Sequence, residues 1–407
     1  MRRDLSIDLV RGGGVLMIAL DHLGGLLKLT VGESITFPFV TWTRIGWSSA
    51  AEFFVFFSGY LVGLIYTQTL QKQGVGLAYA RASHRSWQIY VANLLTLCAV
   101  LVLLRLPLLA SPPLEAATAL DSVTGNNAGA GLFGFLTLQT APAYFEILHL
   151  YIGLLVVAPL LLLVARMSIL VALACSVAVW ACVQWNPQFN IASWNFNPFA
   201  WQLVFVLGML CSVGRVFEKL VDLFGRRMLL ITTGSLLLLA LSVKVADKSG
   251  WSLPLLGQID VTGIKRTSVG PLLLLHFLVS VVFVMQIVPR SATIERSALG
   301  RLFARVGQYS LECFCVSTVL VYAAAGWMTR TGTTGPVAVF ITGVLIVALV
   351  CAWSLFMNWL KALPWRGSSS PAVAGDVAKD AAPLMAGKTT AKDSHSITSP
   401  DIPREPA

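Results

Sequence analysis

Charge is what this chain has least of: Asp, Glu, Lys and Arg make up 12% of its 407 residues, where soluble domains carry roughly a quarter. That shortage excludes a single water-soluble globule. A disordered chain is excluded too, because 56% of the residues are hydrophobic and disorder goes with too little apolar surface to bury. There are only five histidines, none in a His-Glu-x-x-His or similar ligand spacing, so no metal centre is expected. The seven cysteines, Cys98, Cys175, Cys182, Cys211, Cys313, Cys315 and Cys351, lie in or beside apolar runs without a Cys-x-x-Cys pair. An odd count in that setting argues against a disulfide framework and against zinc. No Walker-type phosphate loop or dinucleotide fingerprint occurs, which leaves nucleotide hydrolysis unsupported. No repeat of 20–50 residues stands out, which weakens a repeat-built transporter.

What is present is apolar sequence in long runs, with a mean hydropathy of +0.76. At roughly 20 residues per crossing, the expected fold is an all-α polytopic membrane protein of about ten spans. They fall near 5–29, 46–66, 86–106, 143–164, 169–184, 199–213, 228–245, 269–288, 306–328 and 336–359. The first run holds Asp8, Arg11, Asp21 and His22 with no small-residue cleavage site after it, so a retained helix is expected rather than a leader peptide. The formal net charge of +10 sits in short segments between the runs. This is the pattern that orients helices in a bilayer, not one that binds nucleic acid. With the N-terminus inside, the inner segments hold sixteen Lys and Arg and the outer ones eight, which favours both termini inside. Residues 1–360 then form the transmembrane domain, in contact with lipid. Residues 361–407, rich in Ser, Pro, Ala, Lys and Asp, are expected to be a disordered cytoplasmic tail.

Ionisable groups within membrane helices are expensive and mark functional interiors. Arg11 and His22 are eleven residues apart, about 1,100° of rotation and hence roughly 20° net, with a rise of about 16 Å. They share one stripe, the cation toward the inner leaflet and the imidazole in the outer half. Each also has a plain reading: His22 as a hydrogen-bonded bundle residue, and Arg11 as a partner for Asp8 three residues earlier.

The second run reads Ala50-Ala51-Glu52-Phe53-Phe54-Val55-Phe56-Phe57-Ser58-Gly59-Tyr60-Leu61. It resembles the acidic-Phe-Phe-Val-x-x-Ser-Gly-aromatic signature of the membrane acyltransferase-3 superfamily, and the Arg11-to-His22 spacing is similar to that superfamily's Arg-x10-His motif. More closely, the chain resembles the OpgC family, membrane proteins that succinylate osmoregulated periplasmic glucans. The likeness is carried by Asp8-Leu9-Val10-Arg11-Gly12, Asp21-His22, 52–63, 81–90 and Ile147-Leu148-His149-Leu150-Tyr151, and further along by Asn197-Pro198-Phe199-Ala200-Trp201-Gln202, Leu275-His276-Phe277-Leu278 and 307–315. One departure stands out. Where the family pattern is Asp-Ile-Leu-Pro-Leu-Tyr, this chain has Glu146 in the acidic place and His149 in that of the proline.

The resemblance implies a bacterial inner-membrane O-acyltransferase. It would take an acyl group, with succinyl as one candidate, from cytosolic acyl-CoA and place it on a hydroxyl of an extracytoplasmic carbohydrate. On chemical grounds His22 is the expected general base, since imidazole titrates near neutrality. A carboxylate on its other nitrogen would orient it. Glu146, Glu52 and Asp21 are all candidates for that carboxylate, the first two favoured because adjacent helix residues point about 100° apart; His149 adds a second imidazole. Arg11, Arg81 and Arg85 are expected to seat the donor's phosphates, for which Arg is well suited, although topology signalling alone would also place Arg81 and Arg85 there. Ser58 and Tyr60 could donate toward an oxyanion, or Ser58-Gly59 could serve close helix packing. On the outer side, Trp194 and Trp201 are candidate sugar platforms within an otherwise plausible interfacial aromatic belt. Lys265 and Arg266 could pair an acidic acyl group, and His276 could back that loop. A transporter or flippase for a glycan or small anion, using the same charges, is the rival reading, and self-association is compatible with either.

Overall fold

The structure, a computed structural model, describes residues 4–189, 195–249 and 266–362. The described residues are all-α with no strand. In chain order the helices are α1 (Leu5–Val31), α2 (Trp42–Ile45), α3 (Ala50–Leu104), α4 (Pro112–Ala117), α5 (Ala128–Leu136), α6 (Glu146–Met167), α7 (Ile169–Trp185), α8 (Pro198–Val213), α9 (Val216–Phe224), α10 (Arg226–Lys248), α11 (Pro271–Ile287), α12 (Ser291–Arg296), α13 (Ala298–Gln308), α14 (Ser310–Thr331) and α15 (Pro336–Lys361). The starts follow local chemistry. Asp4 caps α1 by accepting from Ser6 N, Asn197 caps α8 through Phe199 N, and proline opens α8, α11 and α15, where its missing N–H is no loss.

The protein is a polytopic membrane protein. Among the described residues, six helices are long and apolar enough to cross a membrane: α1, α3, α6, α10, α14 and α15. A seventh span arises if α8 and α9, bent by 68°, act together. The difference from ten spans has clear causes. The second and third expected spans share one element, α3, which runs for 55 residues, and α7 and α11 are apolar but only 17 residues long. The stretch 67–85, expected as a loop, is helical except at Gly74. Expected span 306–328 begins later, at Ser310, because Val306 belongs to α13, whose Ala304, Val306 and Gly307 are buried while Leu299 and Arg301 face out. The expected tail lies outside the described residues from 363 onward.

Gly74 turns α3 into a hairpin. Its φ of 83° and ψ of 176° lie in a region essentially restricted to glycine. Beyond it the chain doubles back, so Arg81 Nη1 donates to Thr69 Oγ1 at 2.7 Å. Both arms then reach α6 at consecutive residues: Tyr151 Oη bonds Ser58 Oγ on one arm, and Ser86 Oγ on the other bonds Ile152 O. Nothing lies near a Cβ placed on Gly74, so Gly74→Ala tests the backbone alone. We expect a loss of about 1–3 kcal/mol, read as a lower unfolding midpoint of the detergent-solubilised protein.

Glycines also set the closest helix approaches. Gly59 lies against the backbone of Phe205, and Gly208 against Phe56 O, which locks α3 onto α8. This is the packing role foreseen for Ser58-Gly59. On the other side of the bundle Gly12 of α1 meets Phe303 O and Gly307 of α13. These contacts fix α1, α3, α6 and α14 around one interior.

Candidate functional site

A cavity of about 910 Å³ opens between α1, α3, α6 and α14. Its mouth carries Lys72, Arg81, His84 and Arg85 near the α3 hairpin turn, and its inner end is closed by Phe54, Ile89, Leu148 and Phe314. Arg11 lines it between the two. The close approach of α1 lets the Arg11 guanidinium donate to Ser310 Oγ at 2.6 Å and to Gly307 O at 3.5 Å. Its Cζ stands 5.9 Å from the Phe54 ring centroid. At the mouth, Arg85 Nη1 donates to Gln88 Oε1 at 3.0 Å, and Gln88 in turn contacts His84 Nε2. The three arginines expected to seat a donor thus share one cavity. Ser58 and Tyr60 line it as well, with Tyr151 Oη bridging Phe54 O at 2.6 Å and Ser58 Oγ at 2.8 Å. Ser58 and Tyr60 therefore belong to the same wall as the arginines rather than to the surroundings of His22.

His22 stands just past the inner end. Its ring meets Phe314 edge-on with centroids 6.1 Å apart, and Phe314 stacks on Phe54 at 6.2 Å. Arg11 and His22, on one stripe of α1, therefore flank a pair of aromatic rings. On its other side His22 stacks on Tyr144 at 3.9 Å. Its Nδ1 is enclosed and has no hydrogen-bond partner. Tyr144 has a φ of 69°, left-handed backbone that a non-glycine residue keeps only when its surroundings impose it. Here they do so by holding the ring on His22 and the hydroxyl against Gly25. Burial, with the nearby negative charges of Asp21 and Glu146, pushes the Tyr144 phenol up to about 12, so it keeps its proton at physiological pH.

The carboxylates expected beside His22 are bonded elsewhere. Asp21 accepts from Thr41 Oγ1 and Thr43 Oγ1, both at 2.6 Å, and so ties down the loop before α3. Glu52 accepts from Ser49 N at 2.7 Å and from Ser49 Oγ, closing a capping box at the start of α3. Glu146 accepts from Asn195 Nδ2 at 2.6 Å. Among the described residues no carboxylate hydrogen-bonds His22, which corrects the expected orienting pair: helix-end and loop donors have taken all three acids. His149 is buried against Phe135, ring centroids 5.0 Å apart.

The outer candidates are structural where they are described. His276 Nδ1 receives Ser48 N at 3.3 Å and lies 2.9 Å from Ser48 Oγ. Because the backbone N–H can only donate, Nδ1 holds the lone pair and the neutral ring carries its proton on Nε2. Trp201 is 1% exposed, and its Nε1 donates to Arg266 O at 3.1 Å, so it props the Arg266 backbone instead of offering a face to sugar. The Arg266 side chain is exposed. Trp194 and Lys265 lie outside the described residues. Among the described residues no three His, Cys, Asp or Glu side chains cluster to hold a metal ion.

Tyr144, Tyr151, Ser310 and Phe314 join the site without having been singled out from the sequence. Tyr151, Ser310 and Phe314 lie within the family-like blocks, which was the available signal. Tyr144 had none, because its place depends on a loop conformation.

The sequence model for the OpgC protein matches residues 3–362. Comparison with curated proteins and with solved structures returns no match.

Proposed function

Because the chain belongs to the OpgC family, we propose that it is an integral membrane O-acyltransferase that moves a succinyl group from cytosolic succinyl-CoA to a hydroxyl of a periplasmic glucan. The observation that carries this reading is the cavity. A cationic mouth of Lys72, Arg81 and Arg85 leads past Arg11 to an apolar, aromatic end with an imidazole immediately beyond it. The charge pattern suits an acyl-CoA, whose phosphates match guanidinium groups and whose acyl arm must reach past Phe54 and Phe314. In this reading the mouth faces the cytoplasm of a bacterial inner-membrane protein and the acceptor approaches His22 from outside. His22 takes the proton of the attacking hydroxyl. The three carboxylates hold the outer loops, while stacking on Tyr144 orients the ring.

The experiment is transfer of labelled succinyl-CoA to a mixture of periplasmic glucans by the protein in nanodiscs, with mass spectrometry of the glucans. A covalent mass increase of one succinyl group is expected. Movement of label across a vesicle membrane with no modified glucan would instead favour the transporter reading. For the mouth, Arg81→Ala with Arg85→Ala should raise KM for succinyl-CoA about tenfold or more and leave kcat nearly unchanged. Removing charge-assisted contacts made equally in ground and transition states weakens binding only.

A further inference from the structure

Proceeding from that reading, we infer that Asn93 belongs to the transfer site, where its side-chain amide binds the carbonyl oxygen of the donor's thioester. Asn93 lies in the returning arm of α3, is 1% exposed, and has both Oδ1 and Nδ2 enclosed without a hydrogen-bond partner. A buried amide with neither end paired destabilises a fold. A residue that breaks this rule without compensation is expected where function requires it.

Its position says which function. Ser86, Ile89, Asn93 and Leu97 form one buried stripe of α3. Ile89 closes the inner end of the cationic cavity, and Asn93 comes one turn, about 6 Å, farther along. At that level α14 is adjacent, since Cys315 Sγ lies 4.0 Å from Ala92 O. The neighbouring Phe314 is the ring that edges His22. The amide and the imidazole are therefore both just past the aromatic end of the cavity, where an acyl group entering from the mouth would arrive. The nearby hydroxyls are already committed: Thr96 Oγ1 donates to Ala92 O and Thr318 Oγ1 to Phe314 O. The amide of Asn93 is the neutral donor still available there.

The chemistry uses both groups. The acceptor hydroxyl oxygen bonds to the thioester carbonyl carbon while its proton passes to His22, and the negative charge gathers on the carbonyl oxygen facing Asn93 Nδ2–H. Collapse re-forms the C=O bond and breaks the C–S bond, and the departing sulfur takes the proton from His22 to leave as free thiol. Asn93 Oδ1 accepts from a hydroxyl of the bound acceptor. A donor aimed at a developing oxyanion acts mainly on the transition state.

The test compares the full-length wild type, Asn93→Leu and His22→Ala in nanodiscs, measuring the unliganded unfolding midpoint and the kcat and KM for succinyl transfer. Asn93→Leu is expected to unfold at or above the wild-type midpoint and to keep KM for succinyl-CoA within about twofold. Its kcat should fall about 10²-fold, the scale of losing one oxyanion donor. An unfolding midpoint several degrees below wild type would assign the amide to structure and overturn the inference, as would an undiminished kcat. If the leucine variant does not fold, Asn93→Ala, which adds no bulk, decides by the same kcat criterion. A wild type that modifies no glucan would instead remove the acyltransferase reading itself. An active wild type with an equally active Asn93→Leu removes only the role of Asn93.

Discussion

Protein carrying His22→Ala is expected to bind succinyl-CoA as the wild type does and to transfer about 10²–10⁴-fold less of it, the usual share of a positioned general base. Binding should survive because the cationic lining is provided by Arg11, Lys72, Arg81 and Arg85, one aromatic layer away from the imidazole. The fold should survive as well. Nδ1 has no hydrogen-bond partner to orphan, and the losses are the stacking on Tyr144 and the edge contact with Phe314, each worth about 0.5–1.5 kcal/mol. The measurement is single-turnover transfer beside equilibrium binding of succinyl-CoA. Transfer at the wild-type rate would exclude the imidazole as base, and loss of binding together with transfer would place His22 in the donor site. Tyr144→Phe separates orientation from proton supply: it keeps the stacked ring and removes only the hydroxyl.

The bundle was legible in the sequence wherever hydrophobic period and length spoke together. Arg11 and His22 fall on one face of α1 as the 100° rotation requires, and the structure fills the space between them with Phe54 and Phe314. Glu52 shows a missed local signal. Ser49-Ala50-Ala51-Glu52 is a capping-box pattern, and starting the second helix at Ala50 rather than Gly46 would have assigned that carboxylate to a helix end. Asp21 could not be assigned this way, because its partners Thr41 and Thr43 reach it through the fold of an intervening loop. The hairpin at Gly74 was hidden for a different reason. A single glycine within a helix-forming stretch does not announce a positive φ, and Arg81 meets Thr69 only once the turn exists. Asn93 was invisible for a third reason: an amide in an apolar helix reads as a packing residue until its lack of partners is seen.

Adding one methyl group at Gly12 is expected to do more damage to the folded protein than any other single-carbon change near the site, whereas the same addition at Gly13 should be harmless. A Cβ on Gly12 would run into Phe303 O and crowd Gly307 N, both backbone atoms of α13. Backbone cannot swing aside as a side chain can, so Gly12→Ala forces α1 and α13 apart, at a cost of about 3 kcal/mol, the upper part of the range for overpacking. A Cβ on Gly13 has nothing within 4 Å, and alanine there gains up to about 1 kcal/mol of helix propensity. Neighbouring residues thus give opposite signs for the same chemical change. Size-exclusion profiles and unfolding midpoints of the solubilised variants read the difference directly, and equal midpoints would show that α1 and α13 are not in backbone contact. The separation also reaches the site. Arg11 precedes Gly12, and its guanidinium reaches Ser310 Oγ and Gly307 O only because the helices are this close. Any Gly12→Ala protein that does fold should therefore bind succinyl-CoA more weakly, while the Gly13→Ala protein binds it as the wild type does.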